Sequence, residues 1–189
     1  MFFVIEGIDG SGKTSVGKRL GSYINVNYIE TPTPEFKALY GLPNNVDPDQ
    51  RFDYYMMANQ QAIAKLDNSK FNFVGRYYFS TIIGSKLHFN LDCDDYQIVF
   101  EKYLLAEPLQ TVLLTVSETE QLRRIKLRNC GKNDFNDRKI LDHYSFQRRM
   151  RDEYLNAAHD GGWKIIDTTH RSIDAIADEI FTSLCLVQS

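Results

Sequence analysis

The chain has 189 residues, 43% of them hydrophobic and 25% charged, with a formal net charge of −3. That length suits a single α/β domain over 1–189 with a proper core, and the slight negative balance argues against a broadly basic nucleic-acid surface. The three cysteines, Cys93, Cys130 and Cys185, are too far apart for a disulfide framework or a metal site and fit a reducing compartment.

Met1 stands almost directly on the first apolar run, leaving no room for a signal peptide, and no run is long enough to span a membrane. The expected home is therefore the cytoplasm, with neither membrane nor nucleic acid as partner. Five short apolar runs read as strands: Phe2 to Ile5, Val26 to Ile29, Phe71 to Val74, Thr111 to Val116 and Trp163 to Ile166. Helical patterns separate them, the alternation of a parallel sheet covered on both faces. The fold class expected is a P-loop three-layer α/β/α with a five-stranded parallel sheet and a lid. Ligands on such sheets bind at the carboxyl ends of the strands, so residues just after each run matter most.

After the first run comes Gly7-Ile8-Asp9-Gly10-Ser11-Gly12-Lys13-Thr14, a glycine, four residues, then Gly-Lys-Thr. A helical pattern with Val16, Leu20, Tyr23 and Ile24 follows. In that setting the loop's backbone N–H groups cradle a phosphate at the positive end of a helix. Lys13 is expected to reach the β- and γ-phosphates of a nucleoside triphosphate, and the Thr14 hydroxyl to take a place on Mg²⁺.

Glu30-Thr31-Pro32-Thr33-Pro34-Glu35 reads as an extended loop over the sheet's carboxyl edge, two prolines opposing a regular element. Asp47-Pro48 then caps a helix that carries Phe52, Tyr55, Met56, Asn59, Ile63 and Leu66 on a broadly common face. Asn59, Gln60 and Gln61 either hydrogen-bond a base or are simply solvated. The aromatic and Met surface of this helix also suits the face of a homodimer. Arg76, after the third strand, would face the P-loop with a planar fork suited to phosphate oxygens. The aromatics that follow it wall an acceptor pocket or pack. Asp94 to Ala106 reads as a helix with Ile98, Val99 and Leu105 partly inward.

Ser117-Glu118-Thr119-Glu120 is a capping box opening a helix with Arg123, Arg124, Lys126 and Arg128. These cations near a helix carboxyl end favour the macrodipole as a solvated face. They also lead into the polar segment Gly131 to Asp137, so that 129–137 reads as a lid bringing charge to a transferring phosphoryl group. Asp137 to Ala158 is a long helical pattern with Tyr144, Tyr154 and Leu155 among its buried positions, and Ser172 caps the final helix. Asp167-Thr168-Thr169 lies near the expected base end of the nucleotide or forms a plain turn. The scattered histidines suggest neither catalysis nor metal binding.

Phe3-Val4-Ile5-Glu6-Gly7-Ile8-Asp9-Gly10-Ser11-Gly12-Lys13-Thr14 resembles the opening of thymidylate kinases, which read E-G-x-D-G-x-G-K-[ST]-T, with Ser15 at the last position here. Arg76-Tyr77 followed by Ser80 is similar to that family's D-R-Y-x-x-S segment. The resemblance implies ATP-dependent transfer to a nucleoside monophosphate, dTMP to dTDP by default. It implies an ATP site of Gly7, Asp9, Gly10, Ser11, Gly12, Lys13, Thr14 and Ser15. Arg124, Arg128 or Lys132 would supply the lid cation, since Gly10 stands where some members carry an arginine. Asp9, Arg51, Tyr55, Asn59, Gln60, Arg76 and Tyr77 would face the acceptor, with Lys13, Arg76 and Asp9 central to catalysis and Mg²⁺ accompanying ATP.

Four departures stand out. Gly75 replaces the Asp that helps hold Mg²⁺, Gln60 the arginine that usually reads the base, and Glu30 an arginine after the second strand. The aromatic that walls the sugar is replaced near Ile83-Gly84. A kinase for another nucleotide, a nucleoside or a small hydroxyl compound is the alternative, with Glu30, Glu35 or Asp9 as base. A nucleotide-binding module of weak catalysis is a third reading.

Overall fold

The computed structural model describes residues 1–41, 46–90, 96–129 and 144–185. Five parallel strands, β1 (Phe2–Glu6), β2 (Val26–Glu30), β3 (Phe71–Gly75), β4 (Gln110–Thr115) and β5 (Lys164–Asp167), form one sheet in the order β2-β3-β1-β4-β5. Each strand lies within one residue of its expected bounds. The described helices are α1 (Lys13–Leu20), α2 (Pro34–Tyr40), α3 (Pro48–Ile63), α4 (Tyr78–Phe89), α5 (Tyr96–Tyr103), α6 (Glu118–Asn129), α7 (Tyr144–Asp160) and α8 (Ile173–Cys185).

Period-two alternation along β1 assigns the two faces. Phe3 and Ile5 join Val16, Leu20, Phe73, Ile176 and Ile180 in the layer under α1 and α8. Phe2 and Val4 join Met56, Val74, Tyr77 and Ile82 under α3 and α4. Leu113 meets Ile83, Tyr154 and Ala158 of α4 and α7. With helices on both faces the strands need apolar residues throughout, which is why they read as continuous runs. Among the described residues no helix is long and apolar enough to cross a membrane.

One expectation about elements needs correction. Pro34 does not break structure: it occupies the first turn of α2, where its missing N–H costs nothing, and Thr33 caps that helix by accepting from Phe36 N at 3.2 Å. The aromatics after Arg76 form helix α4, unmarked in sequence because aromatic and β-branched residues favour helix weakly. Asp47 caps α3 as expected, accepting from Asp49 N at 2.9 Å. The expected helical residues 137–143 and most of the lid span lie outside the described residues.

Candidate active site

β1 delivers the loop. Gly10 and Gly12 hold φ of 84° and 96°, a left-handed conformation that side-chain-bearing residues resist. Gly12 then opens α1 with no side-chain cap. The first N–H groups of α1 are thus left for an anion. Lys13 is buried, and its Nζ donates to Gly7 O at 2.5 Å and Ile8 O at 2.7 Å. Burial of the ammonium, then the positive charge of Arg76, push its pKa down to about 7, against the pull of Asp9 and Glu6.

Arg76 follows β3 in a left-handed conformation, φ 69°. Three contacts fix it there. Its N–H donates to Ile5 O at 3.0 Å, its carbonyl accepts from Thr31 Oγ1 at 2.8 Å, and its guanidinium meets Asp9 Oδ1 at 2.5 Å. Burial pushes the Asp9 carboxyl up, but the charges of Arg76 and Lys13 prevail and hold it at about 2. Asp9, Gly10, Gly12, Lys13, Thr14, Ser15, Arg76, Arg124, Ile125 and Arg128 line one cleft of about 250 Å³. Residues from two strand ends and one helix face, far apart in sequence, therefore converge at the open end of α1.

The cations of α6 divide. Arg123 turns to Glu120, while Arg128 lines the cleft. Arg124 clamps: it donates to Gly10 O at 3.2 Å, to Thr168 Oγ1 at 3.0 Å, to Thr168 O at 2.6 Å and to Glu120 Oε1 at 2.9 Å. It joins the phosphate loop to the β5 end while itself lining the cleft. Lys132 lies outside the described residues.

On the acceptor side the expected set does not stay together. Arg51 lies over Tyr55, 5.4 Å from the ring centroid, on one face of α3. Tyr77 is buried, its ring edge-on to Phe2 and its hydroxyl donating to Ala106 O, so it belongs to the core rather than to a pocket. Asn59 is buried against Thr81 of α4 at 3.5 Å, a packing contact between helices. Gln60 sits on the exposed arc of α3 beside exposed Met57, one helical step away from Asn59. Gln61 is the amide that meets the carboxyl-edge loop, accepting from Thr33 Oγ1 at 2.9 Å.

Several residues that hold the site carry no local signal. Glu6 is fully buried and accepts from Tyr77 N at 2.9 Å, Ser80 N at 3.3 Å and Ser80 Oγ at 2.5 Å. Tyr154 of α7 completes the set, 2.8 Å from Ser80 Oγ. Burial raises the Glu6 pKa, moderated by those hydrogen bonds and by Arg76 and Lys13. Gln121 donates to Asp9 O at 2.8 Å, and buried Thr168 reaches Ser11 O at 3.1 Å and Thr115 O at 2.9 Å. Glu6, Tyr77 and Ser80 do appear in the family pattern, in two separate segments, but nothing in that pattern joins them or brings in Tyr154.

Gly75, in place of an acidic residue, has no room for a side chain. A Cβ there would lie 2.3 Å from Tyr28 Oη.

An uncapped helix end, a buried lysine under a glycine loop and an arginine–aspartate pair at the neighbouring strand end define a P-loop nucleotide kinase. The thymidylate kinase family model matches residues 5–180, and the chain belongs to that family. A probable thymidylate kinase of Methanocaldococcus jannaschii is 26% identical over 191 residues, covering 95% of this chain and 93% of its own. The thymidylate kinase of Carboxydothermus hydrogenoformans is 28% identical over 184 residues, 88% of each. Among solved structures, the Ehrlichia chaffeensis thymidylate kinase superposes with a TM-score of 0.70 at 20% identity, covering 97% of this chain and 98% of that one. The Candida albicans thymidylate kinase gives 0.65 at 18% identity, over 99% and 92%. These two likenesses concern the fold.

Proposed function

We propose that this protein transfers the γ-phosphoryl group of ATP to dTMP, giving ADP and dTDP. The observation that carries the reading is the convergence of Lys13, Arg76, Asp9 and Thr14 on one cleft at the open end of α1. A phosphate oxygen of the acceptor forms the new bond to the γ-phosphorus as the bond to the β-bridging oxygen breaks. The acceptor phosphate is already ionised, so no general base is required. Catalysis is positioning and charge neutralisation. Lys13 exchanges its loop carbonyls for phosphate oxygens, and Arg76 releases Asp9 to span donor and acceptor phosphates. Asp9, freed at the same moment, turns to the acceptor side, where Arg51 and Tyr55 of α3 and Gln61 beside Thr33 supply polar contacts.

The residues present fit Mg²⁺. That ion keeps several waters and takes phosphate oxygens, asking little of the protein, and Thr14 offers an exposed hydroxyl at the mouth of the loop. When bound it would neutralise charge on the β- and γ-phosphates. ATP and a nucleotide acceptor are cytoplasmic metabolites, and we place the protein there.

The test is a transfer assay with ATP in magnesium buffer against nucleoside monophosphates and unphosphorylated nucleosides, reading ADP and product mass. dTMP is expected to give dTDP, with Lys13→Met lowering turnover at least about a hundredfold. Turnover of another acceptor and none of dTMP would overturn the reading.

A further inference from the structure

Tyr28 leaves β2 on the face under α1, packed against the Phe3–Ile5–Val16–Leu20 layer. Its ring is seated among glycines. A Cβ on Gly17 would stand 2.1 Å from Tyr28 Cε2 and 2.6 Å from Oη. One on Gly75 would stand 2.3 Å from Oη, and one on Gly21 3.0 Å from the Tyr28 Cβ. No other residue type fits at 17 or 75 without moving the ring.

This seat aims the hydroxyl. Thr14, Gly17 and Gly21 recur at three- and four-residue spacing on one face of α1, so the phenol runs beneath that face toward Thr14. Gly75 pairs with Glu30 at the carboxyl ends of β3 and β2, which places Oη at the sheet edge where the loop opens. Arg76 and Glu30 are the charged groups near enough to act on it. Among the described residues nothing hydrogen-bonds this hydroxyl, and it is not sealed: the one buried side-chain polar atom without a partner is Ser11 Oγ.

We propose that Tyr28 is a phosphate-contacting residue: with the loop occupied, its hydroxyl donates a hydrogen bond to a phosphate oxygen of the nucleotide held above Thr14. This rests on the phosphoryl-transfer reading of the cleft. Phosphate oxygens only accept, so a phenol suits them where a carboxylate does not. Burial, with the Glu30 charge behind it, raises the phenol's pKa far above neutrality, so it keeps its proton to donate. Gly75 is then the space that Tyr28 needs rather than a vacancy in the site.

Tyr28→Phe keeps the ring and removes the donor. Its dissociation constant for ATP in magnesium buffer, read by direct binding without acceptor, should rise about tenfold, with a melting midpoint within about 2 °C of wild type. An unchanged constant overturns the proposal. A second pair tests the seat: Gly75→Asp alone should melt lower than wild type, and Gly75→Asp with Tyr28→Ala higher than Gly75→Asp alone. A Gly75→Asp protein as stable as wild type also overturns it. Because no acceptor is present, failure to phosphorylate dTMP would sink the functional reading and leave this result standing.

Discussion

Arg76 answers two demands that conflict. Its backbone occupies φ 69°, a conformation that disfavours any side chain by about 1 kcal/mol or more. Yet its guanidinium must stand at the strand end, opposite Asp9 and beside Lys13. The backbone bonds to Ile5 and Thr31 hold it there against the local preference. The ion pair itself contributes little to stability, because the two side chains are 37% and 43% exposed. Arg76→Gly should therefore change unfolding free energy by no more than about 1 kcal/mol, while kcat falls at least about a hundredfold. Urea titration and steady-state kinetics read the two quantities separately. Near-normal turnover would remove Arg76 from the phosphate path.

At the scale of elements, the site is held by caps and braces that cross the fold. Glu6 ends β1 and supplies, from outside, the acceptor for two N–H groups at the start of α4, while Tyr154 reaches the same cluster from α7. Strand, helix and the arginine between them are thereby one unit. Glu6→Ala would leave those donors buried and unpaired, and a loss of about 3 kcal/mol or more is expected in urea unfolding. Tyr154→Phe, which spares the two N–H groups, should cost about 1 kcal/mol. Equal and small effects from both would mean that the cluster is solvated and does not join the elements. Arg124 braces on the other side, tying α6 to the phosphate loop and to Thr168. Arg128, one turn further along α6, lines the cleft beside Arg124.

For the whole molecule these placements set a pH response. In the folded chain Lys13 titrates at about 7 instead of 10.5, because burial and Arg76 oppose its charge. The unfolded chain binds that proton more tightly, so stability rises with pH across the window from about 7 to 10.5. Asp9 shifts from 3.8 to about 2, burial outweighed by Arg76 and Lys13; its contribution is present above pH 3.8 and is lost as pH falls toward 2. Bound triphosphate favours the charged lysine. ATP binding at pH 8 should accordingly take up close to one proton, measured by calorimetry in buffers of different ionisation enthalpy. Binding without proton uptake would show that Lys13 is already charged in the free protein.

What the sequence determined by itself was local. The glycine loop with its lysine, the five apolar runs, the Asp47-Pro48 cap and the Ser117 cap each depend on neighbours a few residues apart, and each stands where its pattern put it. The capping box is only half formed, since Ser117 N donates to Thr169 Oγ1 and the Glu120 carboxylate turns to Arg123 and Arg124. The tertiary structure decided the direction of side chains that local pattern leaves open. Tyr77 turned into the core instead of a pocket, Gln61 met the edge loop instead of Gln60, and Arg124 became a brace. Residues 6, 80 and 154 come together only because the crossovers of a parallel sheet bring one strand end and two helices to the same edge. Nor does a glycine in a sequence say what fills its space. Gly75 reads as a missing carboxylate until Tyr28, 47 positions earlier, is seen lying where that carboxylate would begin.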